Sequence, residues 1–140
     1  GNDGRKMSKS YNNCIYLSDE PSVISQKVSS YITDPARIHP TDLGHPEICP
    51  IFALHKIYSE NFKEIEELCK KGKIGCVKCK QMLTSEIVKS LEPIQKKQKE
   101  LKKNPAEINK ILKTGCEKAR AIAGKTINEI RDALKLWNTE

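Results

Sequence analysis

The sequence predicts a mostly α protein, a small antiparallel helical bundle that follows a loop-rich N-terminal segment. Apolar residues recur at helical spacing from residue 50 almost to the end of the chain. Prolines stand where helices commonly begin, at the first helical position. Residues 33–50 hold four prolines and one glycine, which interrupt regular structure and indicate a linker.

The first 32 residues are predicted to contain a loop, one extended run and one helix. The loop leads to Ile15, Tyr16 and Leu17, the only strand-like run. Ser18 is the expected N-cap of the first helix, with Pro21 in its first turn. The apolar residues that follow at helical spacing are Val23, Ile24, Val28 and Tyr31.

Three helices are predicted after the linker. Pro50 begins the first of them, and Ser59 is expected to cap the second, which Gly72 ends. A tight loop at residues 73–75 precedes the third, and Pro93 is expected to kink or end it. Their inward-facing residues are predicted to be Ile51, Leu54, Tyr58, Phe62, Ile65, Leu68, Met82, Leu83, Ile87, Val88 and Leu91.

The last helix has the clearest start signal. Asn104 is the expected N-cap, Pro105 the first helical residue, and Glu107 the partner in a capping box. Apolar residues from Ile108 to Trp137 keep helical spacing and predict an inward-facing stripe.

Composition favours a basic protein that binds polyanions. Lysine and arginine number 25 against 18 acidic residues, which gives a formal net charge of +7. No apolar run is long enough for a bilayer, and the polar N-terminus excludes a secretory signal there. The missing initial Met suggests a piece of a longer protein, and cysteine usage suggests the cytoplasm.

The residues Lys6-Met7-Ser8-Lys9-Ser10 form the first chemical feature. Two lysines three residues apart, among serines and near a glycine, can surround a polyphosphate. The spacing differs from the Walker A motif, and by composition alone a solvated loop is the simpler interpretation.

The motif has a wider setting in three blocks of sequence. These are GRKMSKSYNN at residues 4–13, TDPxR at residues 33–37, and HPExCPxFxxH at residues 45–55. Together they resemble the bacterial-type tryptophanyl-tRNA synthetases, which are class I enzymes. The resemblance covers nearly the whole chain and implies the C-terminal part of an enzyme with a Rossmann core.

The resemblance implies an enzyme that activates tryptophan with ATP and Mg²⁺ and transfers it to tRNA(Trp). Lys9 would be the main catalytic lysine and Lys6 its helper, while Met7, Ser8 and Ser10 would complete the ATP-binding loop. It further implies that residues 1–32 end the catalytic core, residues 33–50 form a linker, and residues 51–140 bind the anticodon. The chain alone would be inactive, and the full-length enzyme a homodimer.

The cysteines predict a metal site. Cys69-x6-Cys76-x2-Cys79, with Cys49 earlier in the chain, could supply four thiolates to zinc or to a [4Fe–4S] cluster. The resemblance favours the cluster, because some tryptophanyl enzymes carry one on such a pattern, and Cys49 is its least regular ligand. Unbound buried cysteine is the alternative.

Lysines near the cysteines and after Pro93 are candidate tRNA contacts, although a solvated face is the plainer interpretation of such a run. These candidates are Lys73, Lys78, Lys80, Lys96 and Lys97. Two other functions stay open. One is a stand-alone metal-containing RNA-binding module, and the other is a tyrosyl-tRNA synthetase relative.

Overall fold

The structure is a computed structural model, and it describes residues 1–136. The elements in chain order are a 3₁₀ turn at Lys9–Tyr11, α1 at Pro21–Ser29, α2 at Pro50–Tyr58, α3 at Phe62–Lys70, α4 at Cys76–Lys103 and α5 at Pro105–Ala133. No β-strand occurs among these described residues. The predicted mostly α fold class is therefore confirmed, and the strand-like run before α1 forms no strand.

Proline begins three of the helices. Pro21, Pro50 and Pro105 each occupy the first turn, where the missing N–H costs no intrahelical hydrogen bond. The prediction of Ser18 as the cap of α1 was wrong, because Glu20 directly precedes the first helical residue. Asp19 orders the turn instead, since its carboxylate accepts hydrogen bonds from the backbone N–H of Tyr16 and from Lys27.

Ser59 was also predicted in the wrong role. It is the C-cap of α2, and Asn61 is the N-cap of α3. The Ser59 hydroxyl lies 2.7 Å from Nδ1 of His55, so it serves a buried histidine rather than the next helix. Gly72 has a φ of 64°, a left-handed conformation that glycine adopts without strain, and the predicted end of α3 is confirmed.

Pro93 does not end α4. The helix runs through it to Lys103, so the lost proline N–H and the crowding of its ring against the preceding turn do not break this 28-residue helix.

The chain divides into two compact units, Gly1–Gln95 and Lys96–Glu140. The core of the first unit joins α1, α2 and α4. Its buried residues are Ile24, Val28, Tyr31, Ile51, Leu83, Ile87 and Leu91, and Ile15 packs against them. Full burial of such a side chain contributes about 1.5–3 kcal/mol, so this cluster is the main support of the unit.

In the second unit, the predicted N-cap Asn104 of α5 is confirmed, but the capping box is incomplete, because the Asn104 backbone N–H donates to the Leu101 carbonyl and not to Glu107. The Asn104 side chain accepts a hydrogen bond from the Glu107 backbone N–H and donates one to the Glu107 carboxylate. No residue of α5 is buried, so its predicted inward stripe is exposed, as at Ile122. Trp137 lies outside the described residues. Within residues 1–136, no helix is both long and apolar enough to cross a membrane.

Candidate phosphate loop and cysteine cavity

The lysine-rich loop contains a tight turn. The Ser8 hydroxyl accepts a hydrogen bond from the Ser10 backbone N–H at 3.3 Å and so caps the 3₁₀ turn. Asn12 ends the turn in a left-handed conformation, with φ of 50°, and its backbone N–H donates to the Lys9 carbonyl at 3.1 Å. Asparagine tolerates this conformation better than most residues. The sequence therefore folds Ser8, Lys9 and Ser10 into one compact turn.

Both lysines of the loop are available to a ligand. Lys6 and Lys9 are exposed, as are Met7 and Ser10. Within the described part of the chain, neither lysine ammonium makes an ion pair or a hydrogen bond. Two uncompensated positive charges near a turn with two serine hydroxyl groups suit a polyphosphate.

A buried asparagine that sequence reasoning missed holds the loop. Asn13 is 3% exposed, and its carboxamide contacts Ser8, Lys6 and Asp3. The hydrogen bond from Asn13 holds the pKa of the Asp3 carboxyl well below its ordinary value, and Arg5 acts in the same direction. Asn13 belongs to the block at residues 4–13, but no spacing rule distinguishes it there.

The four predicted metal ligands come together. Cys49, Cys69, Cys76 and Cys79 all line one small apolar cavity of about 20 Å³. Cys49 is the N-cap of α2, Cys69 lies near the end of α3, and the other two lie in the first turn of α4. Cys14 is not part of this cavity, and Cys116 is exposed.

Charged and polar groups surround the four thiols. Arg37 places Nη1 at 4.0 Å from Sγ of Cys69 and 3.8 Å from Sγ of Cys76, a neighbour that the sequence did not reveal. Burial raises the pKa of Cys79 to about 12, and the nearby thiols add to the rise. Burial likewise raises the pKa of Cys69, while Arg37 opposes the change. Nε2 of the buried His55 lies 3.3 Å from Sγ of Cys79.

The arrangement does not form a metal-ligand set. Among residues 1–136, no group of three or more His, Cys, Asp or Glu side chains is placed to hold a metal ion. The four soft sulfur donors and the adjacent Arg37 fit a thiolate-bound metal by their chemistry, but their positions do not. Neither the [4Fe–4S] prediction nor the zinc prediction is therefore supported by this geometry.

The predicted tRNA-contacting lysines fall into two kinds. Lys73, Lys78, Lys96 and Lys97 are exposed, with Lys97 at 3.6 Å from the Glu100 carboxylate. Lys80 is partly buried, and its ammonium donates to the backbone carbonyls of Ser29 and Tyr31, at 2.7 Å each. Lys80 therefore binds the C-terminal end of α1, where carbonyl groups lack helical partners.

Asp34 fixes a turn at the start of the linker. Its buried carboxylate accepts hydrogen bonds from the backbone N–H groups of Ala36 and His45, and it lies 2.8 Å from Nδ1 of His45. Burial raises the pKa of Asp34, but these hydrogen bonds outweigh it and lower the pKa below its ordinary value.

Comparisons with known proteins show the family of the chain. Residues 1–92 match the family model described as tRNA synthetases class I (W and Y). The chain is 45% identical to the tryptophan–tRNA ligase of Aquifex aeolicus and 37% identical to that of Thermotoga maritima. Each match covers 97% of this chain, and 35% and 42% of those proteins.

A solved structure gives the same result. The crystal structure of tryptophanyl-tRNA synthetase from Campylobacter jejuni, complexed with ADP and tryptophan, matches with a TM-score of 0.84 and 30% identity. That match covers 97% of this chain and 43% of the other. The chain thus spans about two fifths of the length of the relatives that it matches.

Proposed function

This chain belongs to the family of class I tRNA synthetases for tryptophan and tyrosine, and from that membership we propose that it is part of a tryptophan–tRNA ligase. The observation that carries the proposal is 45% identity over 139 residues to a protein named for that activity. The other relatives compared are also named for tryptophan, which favours the tryptophanyl reaction over the tyrosyl one.

The proposed reaction has two steps. In the first, a carboxylate oxygen of tryptophan attacks the α-phosphorus of ATP, and the bond from that phosphorus to the bridging oxygen breaks. Tryptophanyl-adenylate forms, and pyrophosphate leaves with the electron pair. In the second, a ribose hydroxyl at the 3′ end of tRNA(Trp) attacks the acyl carbon, gives up its proton, and releases AMP.

We propose that Lys9 and Lys6 stabilise the first step. Negative charge grows on the departing pyrophosphate, and preorganised cations aimed at that charge lower the barrier. Both ammonium groups are exposed and unpaired in the described structure, which supports this role. Ser8 and Ser10 would contact phosphate, Met7 would pack beneath the nucleotide, and Mg²⁺ would accompany ATP.

We further propose a function for each segment of the chain. Residues 1–32 would carry the phosphate loop and the end of the catalytic core, residues 33–50 the linker, and residues 51–140 the anticodon-binding helices. The exposed lysines Lys73, Lys78, Lys96 and Lys97 would contact tRNA phosphates. We expect a cytoplasmic homodimer for the complete enzyme.

A metal at the cysteine cavity remains part of the proposal. Cys49, Cys69, Cys76 and Cys79 would hold a [4Fe–4S] cluster or, failing that, zinc, and the metal would stiffen the junction of α2, α3 and α4. Binding would require the side chains to move from their present positions, because these do not form a ligand set. Anaerobic purification followed by iron, sulfide and zinc analysis tests this. Protein without iron or zinc would contradict it.

Tryptophan-dependent exchange of pyrophosphate into ATP tests the main proposal. In the complete enzyme, Lys9→Ala should lower the exchange rate by about 10²–10³, the usual cost of losing one charge-stabilising donor. Lys63→Ala is the matched control, because Lys63 is exposed on α3 and lies outside the loop. Exchange that depends on tyrosine would indicate the tyrosyl relative. RNA binding with neither exchange would indicate the stand-alone module.

A further inference from the structure

Asn13 joins three parts of the phosphate loop through one side chain. Its Oδ1 accepts the Ser8 backbone N–H at 2.7 Å. Its Nδ2 donates to the Asp3 carboxylate at 2.8 Å and to the Lys6 carbonyl at 3.2 Å. The carboxamide is buried, and the Cys14 thiol lies 3.7 Å from Oδ1.

The chemistry of the partners fixes the orientation of the carboxamide. A backbone N–H can only donate, whereas a carbonyl and a carboxylate without a proton can only accept. Reversing the amide would set donor against donor at Ser8 and acceptor against acceptor at both other contacts. The Asn13 side chain therefore has one orientation that satisfies its surroundings.

The backbone is anchored on both sides of Met7. Lys6 is held through its carbonyl and Ser8 through its N–H, and Ser8 in turn caps the 3₁₀ turn that contains Lys9. Gly1 packs directly against the carboxamide, since a Cβ there would lie 2.5 Å from Asn13 Nδ2. Asp3 is held as well by Arg5, whose backbone N–H and Nε both donate to it.

We propose that Asn13 is the positioning residue of the phosphate loop. It holds the backbone at residues 6 and 8 in the shape from which the Lys6 and Lys9 ammonium groups meet the polyphosphate of ATP. The role of the loop in binding ATP rests on the proposed function. The hydrogen bonds by which Asn13 anchors the loop do not depend on it. Because Asn13 is buried and contacts the loop, its loss should weaken ATP binding without altering tryptophan binding.

Amide hydrogen exchange in the 140-residue chain tests the anchoring directly. Asn13→Ala should speed exchange of the Ser8 amide by roughly fivefold, the equilibrium factor that corresponds to one net hydrogen bond. Asn12→Gly is the matched control, since glycine keeps the left-handed φ and the Asn12 side chain makes no hydrogen bond among the described residues. Equal Ser8 exchange in the wild-type and Asn13→Ala chains would overturn the inference, whatever the enzyme activity.

A variant that removes only the donor separates this specific contact from a general loss of stability. In Asn13→Asp the new carboxylate can still accept the Ser8 N–H, but it sets acceptor against acceptor at Asp3 and at the Lys6 carbonyl. Ser8 exchange should be faster in this variant, whereas exchange at the buried Leu83 should match the wild type. Equal acceleration at Ser8 and Leu83 would count against the contact.

Kinetics of the complete enzyme test the link to ATP. Asn13→Ala should raise KM for ATP about fivefold in pyrophosphate exchange and leave KM for tryptophan unchanged. Asn61→Ala is the control and should change neither constant, because Asn61 is exposed and its side chain makes no capping bond. Equal rises in both KM values would indicate general damage and overturn the positioning role. No tryptophan-dependent exchange in the wild type would refute the proposed function, and the Ser8 exchange result would still decide the anchoring.

Discussion

Lys80 offers a test of whether a lysine in the basic segment serves the fold or tRNA. Its ammonium donates to the carbonyls of Ser29 and Tyr31 at the end of α1, 51 and 49 residues earlier in the chain. Substitution by methionine keeps the length and apolar stem of the side chain but removes both hydrogen bonds and the charge. We expect Lys80→Met to loosen the contact between α1 and α4.

The magnitude follows from the two bonds. A hydrogen bond from a charged group contributes about 1.5–3 kcal/mol, and a cation at a helix C-terminus about 0.3–1 kcal/mol. Lys80 is only partly buried, so water replaces part of each bond when it breaks. The full sum is about 3–7 kcal/mol, and because water compensates part of it we expect the free energy of unfolding to fall by about 2 kcal/mol.

Urea unfolding of the 140-residue chain measures this change. The midpoint should fall while the slope stays constant, because the amount of surface exposed on unfolding does not change. Lys78→Met is the matched control, since Lys78 is exposed on the same helix and its ammonium has no partner among the described residues. A Lys80→Met chain within 0.5 kcal/mol of the control would refute the structural role.

Three further predictions concern the fold. Asp34→Ala should lower the free energy of unfolding by about 1–3 kcal/mol, because it removes the acceptor of three contacts, and chemical denaturation measures the change. Since the folded pKa of Asp34 lies below its unfolded value of about 4, its stabilisation is complete above that pH and is lost as pH falls through the folded pKa. Wild type and Asp34→Ala should therefore converge in stability as the pH falls below about 4. Leu83→Ala should lower the free energy of unfolding by about 2–5 kcal/mol, because Leu83 is fully buried. Val77 is 71% exposed, so Val77→Ala should lower it by under about 0.5 kcal/mol in the same measurement. Asn104→Ala should lower the local stability of the first turn of α5 by about 1 kcal/mol, and amide exchange at Glu107 should quicken; unchanged exchange there would contradict the cap.

Local sequence signals predicted most of the helix boundaries correctly. Proline at the first turn and glycine with positive φ act on the backbone of their own residue, so their effect needs no tertiary context. The same reasoning failed at Ser18 and Ser59, because a serine near a helix can cap it or bind another group. At Ser59 that other group is the buried His55, whose position depends on packing.

In the candidate site, too, some features were visible in the sequence and others were not. The lysine and serine motif and the cysteine spacing were visible in the sequence, since each is a short pattern of residue types. The cation beside the thiols was not visible, because Arg37 lies 32 residues before Cys69 and 39 before Cys76. The buried role of Asn13 was likewise hidden among other asparagines of the same loop.

By itself, the sequence determined where helices begin, which loop carries the exposed lysines, and which cysteines could meet. Only the tertiary structure decided which polar groups became partners: Asn13 with the loop backbone, Arg37 with two thiols, and Lys80 with the end of α1. The physical reason is the separation along the chain over which each kind of interaction acts. Backbone preferences and caps act over about four residues, whereas a buried hydrogen bond between distant segments exists only after the core has brought them together.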